Sequence, residues 1–174
     1  MKRCFLLLFL AALIGCNRPA SPVQAQAKEA HVAAGEIGSR LPDFSAIDLR
    51  RRPISSADLS GKVVLIDIWA TWCEPCKKEM PGYQELADQY GRRGFVVVGL
   101  KANIMPDTED PLGFAKGIGV RYPLVVATDD VLQKFGGLQG LPTTLLYDRQ
   151  GILRKKVIGF EYTAAFESAL KPLL

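Results

Sequence analysis

Two stretches of the chain are apolar, apart from a single aspartate in the first, and rich in β-branched residues, which is typical of strands buried on both faces of a sheet. They cover residues 63–69 and 95–100. Between them, over residues 75–89, apolar side chains recur at steps of four and three, which predicts a helix with one buried face. The residues expected on that face are Cys76, Met80, Tyr83, Ala87 and Tyr90. Strand, helix and strand in this order predict a βαβ unit with parallel strands.

Weaker patterns on either side of this unit complete a single α/β domain. Alternating apolar residues over 41–54 predict a short hairpin before the first buried strand. The elements expected after the unit are a weak helix at 108–117, a short or edge strand at 122–127, a helix from Asp129 to Phe135, an antiparallel hairpin of 143–147 with 152–159, and an amphipathic helix over 162–173.

The N-terminus has the pattern of an export signal. A basic start precedes an unbroken apolar run, Cys4–Ile14, which is too short to span a membrane as a helix. The sequence Leu13-Ile14-Gly15-Cys16 resembles a bacterial lipobox, which implies cleavage before Cys16 and lipid attachment to it. The alternatives are an ordinary signal with a chance cysteine and a short uncleaved anchor helix.

Residues 17–34 contain no aromatic residue, leucine or isoleucine. Such a segment cannot bury enough apolar surface to offset its ordering entropy, so we interpret it as a flexible tether. The predicted organisation is a signal peptide over residues 1–15, a lipidated cysteine and tether over residues 16–34, and a folded domain over residues 35–174.

Composition and charge exclude several classes of function. The net charge is +4, and the only basic triplet, Arg50–Arg52, has no neighbouring aromatic residues, so no nucleic-acid partner is expected. The single histidine, His31, excludes a zinc site of several histidines and a Ser–His–Asp triad in the core. Glycine-rich phosphate-binding motifs do not occur in the sequence. The chemistry is therefore expected from cysteine or carboxylate side chains.

Cys73 and Cys76 lie where the first buried strand gives way to the predicted helix. Free backbone N–H groups and the helix dipole stabilise a thiolate at a helix N-terminus, here on Cys73. Cys76 falls one turn later on the buried face and is expected to be less accessible. One attacking and one resolving thiol predict thiol–disulfide exchange.

Other uses of the cysteine pair fit the sequence less well. A structural disulfide that closes so short a loop constrains the unfolded chain little. A metal half-site lacks a second pair of ligands, and a one-cysteine peroxidase would need a hydroxyl residue where Ala70 stands. We therefore expect neither a metal nor a cofactor.

The segment Ile68–Glu79, with the sequence IWATWCEPCKKE, resembles the active-site segment of the thioredoxin superfamily. More closely, it resembles the membrane-tethered thiol–disulfide oxidoreductases of the TlpA/ResA group, over about residues 35–174. The resemblance includes the N-terminal hairpin, an insertion at about residues 103–120 after the second core strand, and Leu141-Pro142-Thr143-Thr144. It implies a thioredoxin fold, in which helices flank a central mixed β-sheet and Pro142 is cis and packs against the disulfide. It also implies that the Leu141 backbone binds an extended substrate strand.

Asp67 is a candidate proton acceptor for Cys76. It lies six residues before Cys73, at the position of the buried acid of thioredoxin itself. Burial in an apolar strand should raise its pKa and suit it to this role. The alternative is that Asp67 reaches a polar neighbour, such as Lys62, and only shapes the core.

Glu79 matches the acid that follows the two cysteines in the TlpA/ResA group, where it lies near the thiols. A solvated glutamate beside Lys77 and Lys78 is the alternative. Of the two neighbouring tryptophans, Trp72 is expected to cover the disulfide and Trp69 to be part of the core.

Together these features predict an exported, lipid-anchored, monomeric thiol–disulfide oxidoreductase on the periplasmic side of a bacterial cell envelope. The resemblance implies a reductant of disulfide-containing exported proteins, kept reduced by a membrane electron donor, with cytochrome c maturation as a role of some relatives. The alternative is a binding or copper-delivery module without turnover, which usually has a Cys-x-x-x-Cys pair and a histidine on the fold.

Overall fold

The protein is described by a computed structural model over residues 32–105 and 109–174. The expected signal peptide, Cys16 and most of the expected tether lie outside the described residues. Within the two described ranges, no helix combines the length and apolar character needed to cross a membrane.

The described residues form seven strands and four α-helices. They are β1 (Ser45–Ile47), β2 (Pro53–Ser55), β3 (Val63–Trp69), α1 (Glu74–Tyr90), β4 (Phe95–Ala102), α2 (Pro111–Gly117), β5 (Leu124–Ala127), α3 (Asp129–Lys134), β6 (Thr143–Tyr147), β7 (Leu153–Ile158) and α4 (Thr163–Leu170). Strands β1 and β2 form the predicted hairpin as a separate antiparallel pair.

The other five strands form one mixed sheet in the order β5-β4-β3-β6-β7. Strands β3, β4 and β5 are parallel, whereas β6 is antiparallel to β3 and β7 to β6. The predicted βαβ unit and C-terminal hairpin are thus both confirmed. Since parallel strands end at the same edge, the carboxyl ends of β3, β4 and β5 lie together where β6 begins.

Strand β3 is the centre of the sheet, and all seven of its residues are buried. Alternate side chains point to opposite faces. Leu65 and Trp69 pack in the core cluster that includes Cys76 and the buried face of α1, while Ile66 and Ile68 pack in the cluster on the other face. Asp67 therefore projects toward α1, on the face that carries the cysteines.

Helix α1 buries Cys76, Met80, Tyr83 and Tyr90, as the spacing predicts, while Ala87 is half-buried against the same cluster. The helix continues through Pro81 as one element. Two other helices differ from the prediction in how they begin. Helix α2 starts at Pro111 instead of residue 108, because Asp110 accepts hydrogen bonds from the next turn and proline suits the first helical position.

The predicted N-cap of α3 is wrong by one residue. The side-chain oxygen of Thr128 accepts a hydrogen bond from the backbone N–H of Val131, so Thr128 is the N-cap and Asp129 the first helical residue. Adjacent threonine and aspartate both suit a cap, and the backbone conformation of the preceding loop decides between them.

Candidate active site

The cysteine pair lies at the carboxyl end of β3, where the chain enters α1. Cys73 is the N-cap of this 17-residue helix, and its Sγ accepts a hydrogen bond of 3.3 Å from the backbone N–H of Cys76. The two sulfurs are joined in a disulfide with an S–S distance of 2.02 Å and a Cα–Cα distance of 5.3 Å. Pro75 lies in the first turn, where its missing N–H removes no intrahelical hydrogen bond.

The two sulfurs differ in their access to solvent. Cys76 is fully buried in the core, whereas Cys73 is 3% exposed and lines an open cleft of about 420 Å³. A partner that enters this cleft therefore meets Cys73 and not Cys76.

The walls of this cleft, which we call the Cys73 cleft, are mainly apolar. Besides Cys73, they consist of Trp72, Glu74, Pro75, Ile104, Leu138, Gly140 and Leu141. Trp72 is 41% exposed and stands at the rim beside Cys73, whereas Trp69 is buried and stacks on Phe114, as expected for a core residue. Sequence reasoning missed Ile104 and Leu138, which lie in loops without a periodic pattern.

The Leu141–Pro142 peptide bond is cis, as the resemblance implied. The Pro142 carbonyl accepts a hydrogen bond of 2.7 Å from the backbone N–H of Gly159, which fixes this loop against the end of β7. Leu141 lines the Cys73 cleft next to this cis bond, at a position that a bound chain can approach.

Asp67 is fully buried, on the face of β3 that packs toward α1 and carries the cysteines. The Tyr122 hydroxyl donates a hydrogen bond of 3.3 Å to its Oδ2, while Oδ1 has no hydrogen-bond partner within the described residues. Asp67 thus reaches a polar neighbour, as the alternative expected, but that neighbour is Tyr122 and not Lys62. Burial raises the pKa of Asp67 to about 7, against a smaller lowering by the Tyr122 hydrogen bond.

Glu79 is also buried, with 1% of its surface exposed, so a solvated glutamate is excluded. Its neighbour Lys77 pairs instead with Glu74, at 2.7 Å. The Glu79 carboxyl lies near the Tyr83 hydroxyl and the Glu161 backbone, but neither of its oxygens has a partner in good hydrogen-bond geometry. Burial, followed by the nearby charge of Asp67, raises the pKa of Glu79 to about 9.

The two acids thus form an electrostatically coupled pair on the face of the sheet that carries the cysteines. At neutral pH Glu79 is protonated, whereas Asp67 is close to its midpoint and can take up or release a proton. The Tyr83 hydroxyl lies 3.2 Å from Thr144 Oγ1, the residue opposite Asp67 in β6, and so extends this polar cluster.

Residues 32–105 and 109–174 contain no cluster of three or more histidine, cysteine, aspartate or glutamate side chains arranged to hold a metal ion.

Comparison with known proteins relates this geometry to a family. Residues 37–156 match the AhpC/TSA family. The ResA thiol–disulfide oxidoreductase of Bacillus anthracis is 32% identical over 139 residues, which cover 79% of each protein. That of Bacillus subtilis is 34% identical over 122 residues, which cover 70% of this chain and 67% of the relative. The chain belongs to the ResA-type thiol–disulfide oxidoreductases of the thioredoxin superfamily.

A solved structure supports the same assignment for the fold of this oxidoreductase. A thiol:disulfide interchange protein of the thioredoxin family from Chlorobium tepidum is 30% identical, with a TM-score of 0.72 over 80% of this chain and 99% of the other. The thioredoxin fold and the oxidoreductase class expected from the sequence are therefore confirmed.

Proposed function

We propose that this oxidoreductase is exported, anchored by lipid at Cys16, and uses its folded domain, residues 35–174, to reduce disulfides in other exported proteins. The position of Cys73 carries the proposal, because it combines the N-cap of α1 with the wall of an open cleft. The leader pattern supports export. A solved relative of 26% identity and TM-score 0.64 is described as an exposed lipoprotein thioredoxin of Streptococcus pneumoniae, which supports the anchor.

The reaction begins with the Cys73 thiolate of the reduced enzyme. It attacks one sulfur of the partner's disulfide, a Cys73–partner disulfide forms, and the partner's other sulfur leaves as a thiolate that takes a proton from solvent. The free N–H groups at the start of α1 favour the attacking thiolate, since the Cys76 N–H already points at the Cys73 sulfur.

Cys76 completes the exchange from its buried position. Its thiol loses a proton to Asp67 and attacks the Cys73 sulfur, which restores the Cys73–Cys76 disulfide and releases the partner's second sulfur as a thiolate. This thiolate also takes a proton from solvent, and Asp67 later returns the Cys76 proton to solvent. The partner gains two electrons and two protons in total. A membrane electron donor then reduces the enzyme again.

Glu79 supports this step as the second buried acid. Because it is protonated at neutral pH, it adds no negative charge next to the forming Cys76 thiolate, and it can supply a proton when Asp67 is ionised. Asp67, the one of the two acids that is ionised in part at neutral pH, can hold the proton from Cys76 until the reduced partner leaves.

The substrates are extended protein segments that place a cysteine beside Cys73. Trp72 and Leu141 offer apolar contact surface, and the Leu141 backbone, next to Pro142, offers hydrogen-bonding groups to an extended chain. Cytochrome c maturation is one pathway in which such a reductant serves. The chain contains no C-x-x-C-H motif, so any haem would belong to the partner.

Reduction of insulin disulfides tests the proposed activity. Dithiothreitol-driven turnover should be lost in Cys73→Ser and should be unaffected by a copper chelator. Glu85→Ala, an exposed position on the same helix, provides the matched control and should retain wild-type turnover. Full activity of Cys73→Ser would exclude Cys73 as the attacking thiol, whereas a wild type that reduces no insulin would support the copper-delivery module without turnover.

A further inference from the structure

Tyr122 is a buried tyrosine in the loop between α2 and β5, and its role is not evident from the sequence. Its hydroxyl donates the hydrogen bond to Asp67 Oδ2, from a position 55 residues away along the chain. Its ring belongs to the core cluster that contains Cys76. The loop thus delivers one polar group to Asp67 on the face of the sheet that carries the cysteines.

The backbone of this loop is fixed to the helix that carries Cys76. Gln84 of α1 accepts hydrogen bonds from the backbone N–H groups of Arg121, at 2.7 Å, and Tyr122, at 3.0 Å. On the other side of the loop, the Arg50 guanidinium donates to the carbonyl oxygens of residues 120–122. These contacts fix the backbone of Tyr122 relative to α1, and they thereby fix the position of its hydroxyl.

Among the groups around Asp67, the Tyr122 hydroxyl has a distinct role as a hydrogen-bond donor. The buried titratable side chains of the elements packed on this face of the sheet are Cys76, Glu79, Tyr83 and Tyr90 of α1, Lys101 of β4 and Tyr122 itself. Strand β6 places Thr144 opposite Asp67, but the Thr144 hydroxyl pairs with Tyr83. Within the described residues, the Tyr122 hydroxyl is therefore the donor that orients the Asp67 carboxyl.

We propose that Tyr122 is a positioning residue that holds the Asp67 carboxyl in the orientation that accepts the Cys76 proton and favours its ionised form. The inference rests on the proton role of Asp67 in the proposed function. The proton passes from Cys76 Sγ to Asp67, while the Tyr122 hydroxyl keeps its own proton and only strengthens or weakens its hydrogen bond.

The direct test is the titration of Asp67 by carboxyl ¹³C NMR in the oxidised full-length protein. In this form Cys73 and Cys76 are joined in the disulfide and do not titrate. Loss of one hydrogen bond to a charged group in Tyr122→Phe should raise the pKa of Asp67 by about one unit. Tyr147→Phe is the matched control, because that buried hydroxyl has no hydrogen-bond partner within the described residues and its side chain packs on the opposite face of the sheet. It should leave the Asp67 titration unchanged.

The kinetic test follows the resolution of a trapped Cys73 mixed disulfide as a function of pH. Tyr122→Phe should move the pH midpoint of this step up by about one unit, so that resolution is about tenfold slower below the midpoint and recovers above it. A purely structural role would slow resolution at every pH without moving the midpoint. In an Asp67→Asn background, Tyr122→Phe should have no further effect on the profile.

The outcomes separate this inference from the proposed function. An Asp67 pKa that is unchanged in Tyr122→Phe overturns the inference even if insulin reduction is intact. A pH profile that is unchanged in Asp67→Asn overturns the proton role of Asp67 and the positioning role with it, but not cysteine-dependent exchange. If Tyr122→Phe fails to fold, 3-fluorotyrosine in place of Tyr122, a stronger donor, should lower the pKa of Asp67, and an unchanged pKa overturns the inference.

Discussion

Replacement of Glu79 by glutamine is expected to stabilise the oxidised protein at alkaline pH. Glu79 is buried without a well-aligned hydrogen bond, and burial raises its pKa from the ordinary 4.5 to about 9. The folded state therefore keeps a proton that the unfolded chain has already released. Glutamine has the shape of the protonated acid but cannot ionise, so it removes this pH dependence.

The sign and size of the effect follow from proton linkage. Because the folded pKa lies above the unfolded one, the contribution of Glu79 to stability is fully present below pH 4.5 and is lost as the pH rises toward 9. The loss is about 1.4 kcal/mol per pH unit, or about 2 kcal/mol between pH 7 and 8.5. The raised pKa of Asp67 lowers the free energy of unfolding, as the pH rises, mainly below about pH 7, its own pKa. The change in stability between pH 7 and 8.5 therefore comes mainly from Glu79.

Urea unfolding of the oxidised wild type and Glu79→Gln, at pH 7 and 8.5 without reductant, measures the difference. The variant should keep its free energy of unfolding across this window, while the wild type loses about 2 kcal/mol. Glu85→Gln, an exposed glutamate on the same helix, is the control and should behave as the wild type within about 0.5 kcal/mol. Parallel pH dependence of wild type and Glu79→Gln would refute the assignment of a buried, neutral Glu79.

Three further predictions concern access, substrate binding and anchoring. In the reduced protein, iodoacetamide should modify Cys73 before Cys76, as mapped by mass spectrometry; preferential labelling of Cys76 would reverse the assigned roles. Trp72→Ala should raise the KM for a peptide disulfide several-fold and leave kcat within about twofold, because Trp72 forms the rim of the Cys73 cleft; an unchanged KM would exclude it from binding. Cys16→Ala should move the protein from the membrane to the soluble fraction, whereas retention with the leader attached would favour an uncleaved anchor.

The sheet and the position of the cysteines could be predicted because local patterns determine them. The continuous apolar run of β3 requires a central strand, and the spacing of Cys76, Met80 and Tyr83 requires a helix packed on it. These two local patterns are sufficient to place Cys73 at the helix N-terminus, independently of tertiary contacts. This local logic is why the reactive pair was predictable before any tertiary contact was known.

The environment of Glu79 was harder to predict because two local signals conflict. Lys77 and Lys78 suggest a solvated turn, whereas Glu79 lies three residues after Cys76 and four before Tyr83, on the buried face. Helical periodicity prevails, since the side chain follows the face and not its sequence neighbours. That spacing was the available signal for burial.

The Tyr122–Asp67 hydrogen bond had no signal in the sequence. It depends on a loop that folds back onto α1 through Gln84, across separations of 37 and 38 residues. No periodicity or motif links these positions. Contacts of this kind arise only from the assembled fold, and here they determine the surroundings of the proposed proton acceptor.

The most direct test of the central claim is to trap the reaction intermediate. Cys76→Ser, incubated in reduced form with a peptide disulfide, should accumulate a mixed disulfide on Cys73 that non-reducing mass spectrometry detects, because the resolving thiol is missing. Cys73→Ser under the same conditions should form no adduct. Accumulation of the adduct on Cys76 in Cys73→Ser, with none on Cys73 in Cys76→Ser, would contradict the proposed mechanism.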